Sequence, residues 1–321
     1  MTKIILEAVV SEEGAKRRLD QVAASLFSEH SRARLQEWIK AGFLTVNGQK
    51  RRPKDLVSLG DRLIVSAEIQ ESGEWESEKM LLDIVYEDES LIVVNKAKNL
   101  VVHPAVGHRR GTLLNGLLHH CPDLRQVPRA GIIHRLDKDT TGLLMVAKTL
   151  AAHTDLVAKL ARREVSREYE AVACGVLTGG GTINLPLGRH PVNRKKRAVS
   201  ESGQEAITHY KVLKRFRSHT HLLIKLETGR THQIRVHMSY KSYPLVGDQL
   251  YGARLSIPAG CELSLAESLK SFQRQALHAR RLGVSHPDTK ETMHWEADLP
   301  TDIKFLLGKL EEDSFMERSD A

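Results

Sequence analysis

A group of polar residues lies between two apolar runs near the middle of the chain and contains the first candidate for a reactive side chain. The polar insert runs from His134 to Asp139, and apolar residues flank it from Gly131 to Ile133 and from Leu143 to Ala147. The flanks predict strands and the insert predicts a loop. Because a loop between two core strands is held rigidly and stays accessible, Asp137 is the carboxylate best placed to act on a substrate.

The carboxylate of Asp137 can act as a nucleophile or stabilise charge, and neither role needs a cofactor. The sequence has no Walker loop, no Gly-x-Gly-x-x-Gly after a strand and no metal-ligand spacing, so we expect no metal and no small-molecule cofactor. His134, His232 and His237 lack a supporting cysteine or carboxylate pattern, which argues against zinc. A lone aspartate in a polar loop is usually a turn or cap residue, so the assignment needs support from elsewhere in the chain.

Excess positive charge indicates a polyanionic partner. The 321 residues include 48 Lys and Arg against 40 Asp and Glu, for a net charge of +8, and 41% are hydrophobic. Such a chain can bury a substantial core and bind nucleic acid. No signal-peptide core, membrane-spanning run or basic amphipathic helix stands out, and the three cysteines are scattered. We therefore expect a cytoplasmic protein without a membrane partner.

The N-terminal residues predict a small unit of two helices and a hairpin. Apolar residues repeat at helical spacing from Leu19 to Phe27 and from Leu35 to Ile39, with Ser31 as the expected N-cap of the second helix. A strand from Leu44 to Val46 precedes an Asn47-Gly48 hairpin turn. Basic residues that favour phosphate contacts cluster on the polar parts of these elements, namely Arg32, Arg34, Lys40, Lys50, Arg51, Arg52 and Lys54.

The rest of the chain predicts a larger α+β domain. The runs Ile84 to Tyr86 and Leu91 to Val94 suggest a hairpin, and helices are expected from Leu113 to His120 and from Ala151 to Arg163. Because the strands do not alternate regularly with helices, they favour a mixed, mainly antiparallel sheet. Further strands are expected near Glu170, Leu222, Ile234 and Leu277.

Composition divides the chain into four segments. Residues 1–67 form the expected N-terminal domain, 68–79 an acidic linker, 80–310 the larger domain, and 311–321 a polar, frayed tail. The negative charge of the linker disfavours RNA contact, so the linker is expected to separate two binding surfaces. A merely solvated connector fits equally well.

Short motifs in the first domain resemble the alpha-L RNA-binding module. The resemblance covers roughly residues 17–66 and is carried by Arg18-Leu19-Asp20, Val46-Asn47-Gly48 and Gly60-Asp61. It implies that the second helix and the hairpin form an RNA-facing surface.

Several blocks of the larger domain resemble, in order along the chain, the RluA-type pseudouridine synthases. The first is His134-Arg135-Leu136-Asp137 with Thr141-Gly142, and the second is Arg167-Glu168-Tyr169-Glu170-Ala171. The third runs from Glu227 to His237, and the pattern is completed by Gly247-Asp248, Tyr251-Gly252, Leu277-His278-Ala279 and His286-Pro287. Ordered agreement of several blocks is far more specific than any single motif.

This resemblance implies a pseudouridine synthase fold and the isomerisation of uridine to pseudouridine in RNA. It implies that Asp137 is the catalytic carboxylate on a flipped-out uridine, that Tyr169 stacks on the base and that Arg230 pairs with the carboxylate. Arg135 and Arg235 are expected to contact phosphate or support the structure. Without the motifs, Tyr169 would be interpreted as a core tyrosine and Arg230 as an ordinary exposed arginine.

The combination of module and blocks most resembles members of this family that act on large-subunit ribosomal RNA. That RNA, or the assembling large ribosomal subunit, is therefore the expected partner, and the chain is expected to act as a monomer. A basic run either clasps the RNA backbone or is a solvated loop, and it comprises Arg189, Arg194, Lys195, Lys196 and Arg197.

Two other functions stay open at this level. A catalytically silent RNA-binding or ribosome-assembly protein would also need the basic charge and the module. A carboxylate-dependent glycosidase or nucleosidase would cleave the same bond and commonly needs a second carboxylate, for which Asp139 is nearest. Release of free uracil would favour this second alternative.

The sequence departs from the family before the first block. Lys96-Ala97-Lys98-Asn99-Leu100 stands where the family usually has Lys-Pro-x-Gly-Leu. Because asparagine tolerates the left-handed conformation that glycine supplies, we expect the turn to persist at Asn99.

Overall fold

The computed structural model describes residues 2–27, 32–69, 75–104, 108–252 and 257–319. The chain divides into two compact units, residues 1–74 and 75–321, each with a sheet and a core of its own. None of the helices in these described ranges combines the length and apolar character that a membrane crossing requires.

The first unit packs two helices against a small antiparallel sheet. Its elements are β1 (Thr2–Val9), α1 (Leu19–Leu26), α2 (Arg32–Ala41), β2 (Leu44–Val46) and β3 (Arg62–Ile69). β3 lies between β1 and β2. Asn47 and Gly48 both have positive φ, as a tight hairpin turn requires. The two predicted helices and the turn are confirmed, whereas Ser31 lies outside the described residues.

Asp20 joins the two helices of the first unit. Its side chain is fully buried and accepts hydrogen bonds from Arg18 Nε at 3.0 Å, Arg32 Nη2 at 2.8 Å and Gln36 Nε2 at 2.5 Å. Burial alone would raise the pKa of Asp20, but these donors outweigh it and lower the pKa to about 2. The carboxylate is therefore ionised at neutral pH and ties α1 to α2.

The second unit is built around one large sheet. Its strands are β4 (Ile84–Glu87), β5 (Leu91–Lys96), β6 (Thr141–Ala147), β7 (Ser166–Cys174), β8 (Gly181–Asn184), β9 (Leu187–Arg189), β10 (Arg197–Val199), β11 (Ile207–Arg215), β12 (His219–Leu226), β13 (Leu277–Ser285) and β14 (Thr292–Glu296). Its helices are α3 (Leu113–His120), α4 (Leu150–Ala161), α5 (Gln233–Tyr240), α6 (Leu263–Ser271) and α7 (Thr301–Ser319). The predicted β4–β5 hairpin and both predicted helices are confirmed.

Within the described residues, nine strands of the second unit form one sheet in the order β4-β5-β6-β13-β7-β12-β11-β8, with β14 beside the second half of β13. β6 and β13 pair in parallel, and the other pairings are antiparallel. β9 and β10 form a separate hairpin. The predicted α+β class with a mixed, mainly antiparallel sheet is confirmed.

Both faces of the large sheet are covered, which explains the continuous apolar run of β6. Leu144 faces the core that contains α3 and Tyr169, whereas Met145 faces the core that contains α4. Successive residues of a strand point to opposite faces, so a strand buried on both sides shows no polar alternation.

The predicted strand before the Asp137 loop is wrong. Ile132 makes only an isolated bridge with Val146. The reason is local, because Arg129, Ala130 and Gly131 all have positive φ and turn the chain.

The predicted strand at Ile234 is also wrong, because this residue lies in α5. Gln233, Arg235 and His237 are buried as well, so the segment has no polar face by which a helix could be recognised.

Two segment limits also differ from those expected. Residues 311–319 continue α7 instead of fraying, because Asp313 is buried and pairs with Arg217 Nε at 3.2 Å. β3 extends to Ile69, into the segment expected to be linker.

The expected turn before the first block is confirmed at Asn99, whose φ is 64°. The turn follows directly on β5 and returns the chain towards α3. The departure from the usual glycine therefore leaves the local path intact.

Candidate active site

A cavity of about 1280 Å³ opens in the second unit between the Asp137 loop, β7 and the segment that leads into α5. Asp137, Tyr169, Arg230 and Arg135 all line it, so the structure brings the four predicted site residues together. Its volume is sufficient for a nucleotide.

Glycines fix the two ends of the Asp137 loop. A Cβ atom on Gly131 would lie 1.9 Å from the carbonyl oxygen of Ala147, and one on Gly142 would lie 2.2 Å from that of Ala279. Both glycines also have positive φ, 75° and 109°. The loop is therefore anchored to β6 and β13 by backbone contacts that only glycine permits.

Lys96, at the end of β5, holds the backbone of the Asp137 loop. Its buried Nζ donates to the carbonyl oxygens of Lys138 at 2.9 Å, Ala97 at 2.8 Å and Leu100 at 3.0 Å. Burial lowers the pKa of Lys96 to about 8, although neighbouring carboxylates favour the charged form. All three ammonium protons are thus used to fix backbone.

Arg274 and Gln275 hold the end of the same loop. Arg274 Nη1 donates to the carbonyl oxygen of Asp139 at 3.1 Å, and Gln275 Nε2 donates to Thr140 Oγ1 at 3.0 Å. Asp302 accepts from Arg274 Nε at 2.9 Å and Nη2 at 2.7 Å, which fixes the guanidinium. The loop is therefore held from several elements before any substrate binds.

Arg235, in α5, forms an ion pair with the candidate catalytic carboxylate. Its Nη1 donates to Asp137 Oδ2 at 2.9 Å, while Nε and Nη2 donate to Asp248 at 2.7 and 2.8 Å. Burial opposes charge on both partners, but their contacts outweigh it, so the pKa of Arg235 is raised and that of Asp248 is lowered. A permanently charged guanidinium therefore lies beside Asp137.

The expected ion pair between Arg230 and Asp137 is wrong. The Arg230 side chain is exposed, its Nε donates to the carbonyl oxygen of Glu205 at 3.0 Å, and it has no carboxylate partner among the described residues. The reason lies in the chain path. Arg230 is in the loop before α5, where its backbone N–H binds Gln233 Oε1 at 2.9 Å, whereas Arg235 lies within the helix.

Tyr169 and Arg167 lie on the same face of β7, two residues apart. Tyr169 is 5% exposed, and burial raises its pKa, so its hydroxyl stays protonated. Arg167 donates from Nη2 to the carbonyl oxygen of Glu227 at 3.1 Å, and its buried Nε has no partner in the described residues. The cavity wall thus offers an aromatic ring and a buried cation near Asp137.

Tyr251 contacts three parts of the site. Its hydroxyl accepts from the backbone N–H of Arg197 at 2.7 Å and lies 2.8 Å from His232 Nδ1. The Cζ atom of Arg235 lies 5.1 Å from the centroid of its ring. His232 in turn places Nε2 at 3.8 Å from Asp137 Oδ1.

Arg197 ends a basic hairpin loop of residues 189–197, which we call the rim loop. Arg194 and Lys195 are exposed there, and Lys195 lines the cavity. Lys196 Nζ lies 5.8 Å from the ring centroid of Tyr251. The rim loop therefore brings positive charge to the mouth of the cavity.

The remaining histidines of the blocks face protein groups. His134 Nε2 accepts the N–H of Met145 at 3.1 Å. The ring nitrogens of His237 lie 2.9 Å from Thr208 Oγ1 and 3.0 Å from the carbonyl oxygen of Leu185. In the part of the chain that is described, no group of three or more His, Cys, Asp or Glu side chains is arranged to hold a metal ion.

Sequence reasoning gave no site role to Lys96, Asp248 or Tyr251, although Asp248 and Tyr251 lie in blocks that the sequence reveals and Lys96 lies in the segment before the first block. The available signal was the presence of polar residues in ordered blocks. Their spacing does not show that the end of β5 and the start of α5 meet at the Asp137 loop, because that contact depends on how the sheet folds.

Comparison with known proteins adds to this geometry. A family model described as RNA pseudouridylate synthase matches residues 90–240, which include the Asp137 loop and β7, and one described as S4 domain matches residues 17–63. The ribosomal large subunit pseudouridine synthase D of Pseudomonas aeruginosa is 58% identical over 306 residues, covering 95% of this chain and 96% of that protein. The protein of the same name from Escherichia coli K12 is 49% identical over 319 residues, covering 99% and 98%.

Solved structures show a similar fold. Human RNA pseudouridylate synthase domain containing 1 has a TM-score of 0.52 at 27% identity, covering 68% of this chain and 83% of its own. Human RNA pseudouridylate synthase domain containing 4 has a TM-score of 0.53 at 25% identity, covering 71% and 92%.

Proposed function

Because the chain belongs to the RNA pseudouridylate synthase family and is an RNA pseudouridine synthase, we propose that it isomerises uridines of large-subunit ribosomal RNA. The observation that carries the proposal is the Asp137 carboxylate, paired with Arg235 in the wall of a cavity that Tyr169 also lines. The names of the curated relatives and the match of the first unit to the S4 domain support this RNA as substrate.

The reaction rearranges a single nucleotide. The N1–C1′ bond breaks, the uracil turns and a C5–C1′ bond forms, while one proton leaves C5 and one is gained at N1. No electrons or groups are exchanged with a second molecule. An ionised carboxylate can begin this sequence by attacking C1′, by attacking C6 or by assisting elimination to a glycal.

Asp137 acts on a uridine that has been flipped out of the RNA stack. The ring of Tyr169 stacks on the freed uracil, which compensates for the lost base stacking. Arg135 and Arg230 are exposed at the cavity wall and contact phosphates next to the target nucleotide. Arg235 orients the carboxylate of Asp137 through the ion pair.

Both units bind the RNA, which raises the effective concentration of the target uridine at the cavity. The exposed basic residues of α2 and the hairpin supply the first surface, and the rim loop contributes to the second. The substrate is the free ribosomal RNA or the assembling large subunit, and the enzyme works with it in the cytoplasm. We propose that the enzyme acts as a monomer.

The test compares the parent chain with Asp137→Asn and, as a matched change in the same loop, Asp139→Asn. Each is incubated with ribosomal RNA without added metal or nucleotide, and pseudouridine is mapped chemically. The parent and Asp139→Asn are expected to form pseudouridine and Asp137→Asn to form none. Unchanged modification by Asp137→Asn would refute the role of this carboxylate, and free uracil would identify a hydrolase instead.

A further inference from the structure

Tyr251 belongs to a sequence block that the chemistry described so far does not use, yet it is bonded to both sides of the site. On one side lies the rim loop, through the N–H of Arg197 and the ammonium of Lys196. On the other side lie His232 and Arg235, and each of these approaches Asp137.

We propose that Tyr251 is a positioning residue that connects the RNA-contacting rim loop to the Asp137 carboxylate through His232 and Arg235. The inference rests on the proposed isomerase function and extends it. Tyr251 touches neither substrate nor reacting atoms in this scheme, so it acts only through the residues it holds.

The hydroxyl of Tyr251 selects one form of His232. The hydroxyl oxygen accepts a hydrogen bond from the N–H of Arg197. Among the described residues, the acceptor within reach of the hydroxyl proton of Tyr251 is His232 Nδ1. The proton of a neutral His232 must then be on Nε2, on the side of Asp137 Oδ1 at 3.8 Å. The other tautomer would turn a nitrogen lone pair towards a carboxylate, so both neighbours favour the same arrangement.

The ring of Tyr251 acts on Arg235. A guanidinium at 5.1 Å from the ring centroid is attracted to the aromatic face, and Asp248 fixes two of its nitrogens. The third nitrogen is thereby directed at Asp137 Oδ2. Oδ2 of Asp137 is thus oriented by a residue that contacts Tyr251, while Oδ1 faces His232 Nε2 at 3.8 Å.

RNA binding affects these contacts of Tyr251 through the rim loop. Phosphates bound by exposed Arg194 and Lys195 restrain the loop that ends at Arg197. Because the N–H of Arg197 donates to the Tyr251 hydroxyl, restraint of the loop also restrains the tyrosine. The contact that binds RNA therefore also fixes the direction of Asp137.

The test is Tyr251→Phe, which removes only the hydroxyl. Single-turnover conversion at saturating ribosomal RNA is expected to slow about fivefold, the effect of one lost hydrogen bond, while RNA affinity stays within about twofold of the parent. Tyr240→Phe removes an exposed hydroxyl from the end of α5 and is the matched control, expected to match the parent. A Tyr251→Phe variant as fast as the parent overturns the inference.

A double-mutant cycle shows whether Tyr251 acts through His232. His232 has φ of 60°, and asparagine tolerates this conformation, so His232→Asn preserves the backbone. Removing the Tyr251 hydroxyl is expected to slow the parent and to have no further effect in His232→Asn. Equal slowing in both backgrounds contradicts the route through His232.

The pH profile adds a readout that general loosening would not move. Burial lowers the pKa of His232, and Arg235 and Arg135 also oppose its protonation, whereas Asp137 and Asp248 favour it. Loss of the donor at Nδ1 makes protonation of His232 easier, so on acidification the rate of Tyr251→Phe is expected to start falling at a higher pH than that of the parent. Profiles that fall at the same pH contradict the tautomer assignment.

A measurement on the unmodified chain covers the case in which Tyr251→Phe does not fold. Nitrogen-15 spectra of the parent, assigned by the signal missing from His232→Asn, are expected to show a proton on Nε2 of His232. A proton on Nδ1 overturns the inference. If the parent itself forms no pseudouridine, the proposed function fails, and this outcome is distinct from a parent that is active with the opposite tautomer.

Discussion

Arg235 donates to the carboxylate of Asp137 at 2.9 Å from a helix that lies 98 residues further along the chain. The other two nitrogens of the same guanidinium donate to Asp248, so its orientation does not depend on Asp137 alone. A carboxylate with one oxygen held in this way keeps the other free for a substrate. This relationship makes the two arginines of the third block experimentally separable.

Arg235→Lys is expected to slow conversion about a hundredfold, because one ammonium cannot bind Asp137 and Asp248 with the geometry of a guanidinium. Single-turnover rates at saturating RNA measure the effect. Arg230→Lys is the matched change and is expected to alter mainly RNA affinity. A larger rate loss in Arg230→Lys than in Arg235→Lys would indicate that Arg230, as first expected, is the partner of Asp137.

Tyr169 can be divided into its ring and its hydroxyl. Tyr169→Phe keeps the ring and should keep the affinity for RNA, whereas Tyr169→Leu should lose roughly 1 to 3 kcal/mol of binding, the value of one stacked base. Equilibrium binding to ribosomal RNA fragments measures both. An RNA with an abasic target nucleotide offers no base to stack, so it should bind the parent and Tyr169→Leu equally; unequal binding there would locate the contact elsewhere.

The lowered pKa of Lys96 predicts opposite effects of pH on the reaction rate and on the free energy of unfolding. As pH rises through about 8, the buried amine loses a proton and one of its three bonds to the Asp137 loop, so the rate should fall. In the unfolded chain, Lys96 stays protonated up to its ordinary pKa near 10.4. Between about pH 8 and 10 the unfolded state therefore binds more protons than the folded state, so the contribution of Lys96 to the free energy of unfolding should increase with pH. Single-turnover rates and melting curves across this interval measure the two effects.

Lys96→Met is the control for this titration. It should be slower than the parent at every pH, since three carbonyl oxygens lose their donor, and its rate should lack the decline above about pH 8. An equal decline in both proteins would assign the titration to another group.

The basic surface of the first unit should affect binding and not chemistry. Replacing exposed Lys40, Arg51 and Lys54 with Gln should weaken RNA binding and lower the slope of log affinity against log salt by about 0.7 to 0.9 for each phosphate that is no longer neutralised. Rates at saturating RNA should stay at the parent value. Lys270→Gln, an exposed lysine at the end of α6, is the control; an equal change in slope there would show that only net charge matters.

Asp20→Asn should destabilise the first unit by about 1 to 3 kcal/mol, because the bonds from Arg18 and Arg32 lose their charge. The folded pKa of about 2 lies below the unfolded value, so this stability is present at neutral pH and is lost as pH falls from about 4 towards 2. Denaturant unfolding at several pH values measures it. Glu37→Gln, an exposed acid on α2, should change little, and an Asp20→Asn variant of parental stability would contradict the prediction.

The fold was predictable where a segment has one buried face or a distinctive turn. The β4–β5 hairpin and the left-handed turns at Asn47 and Asn99 follow from local chemistry. The segment at Ile234 was not predictable, because polar side chains are buried on every side of α5. The partners of these side chains come from distant parts of the chain. In the sequence, a short buried strand and a short buried helix show the same pattern.

The site was predictable as a loop with a carboxylate, but its partners were less so. Arg230 and Arg235 occur in the same block, and the choice between them depends on where α5 begins. Lys96 carries no local signal of its role, since its three acceptors are brought together only by the path of β5 and the Asp137 loop.

The glycines at the two ends of the Asp137 loop define where mutational tolerance ends. Any side chain at Gly131 or Gly142 must push apart two backbones, so damage there would be felt as a misplaced carboxylate, even though neither residue carries a reactive group. A saturation scan of the loop should therefore find its least replaceable members at the borders as well as at Asp137. A redesign for another RNA can therefore vary the rim loop and the first unit, but it should leave the segment from Gly131 to Gly142 unchanged.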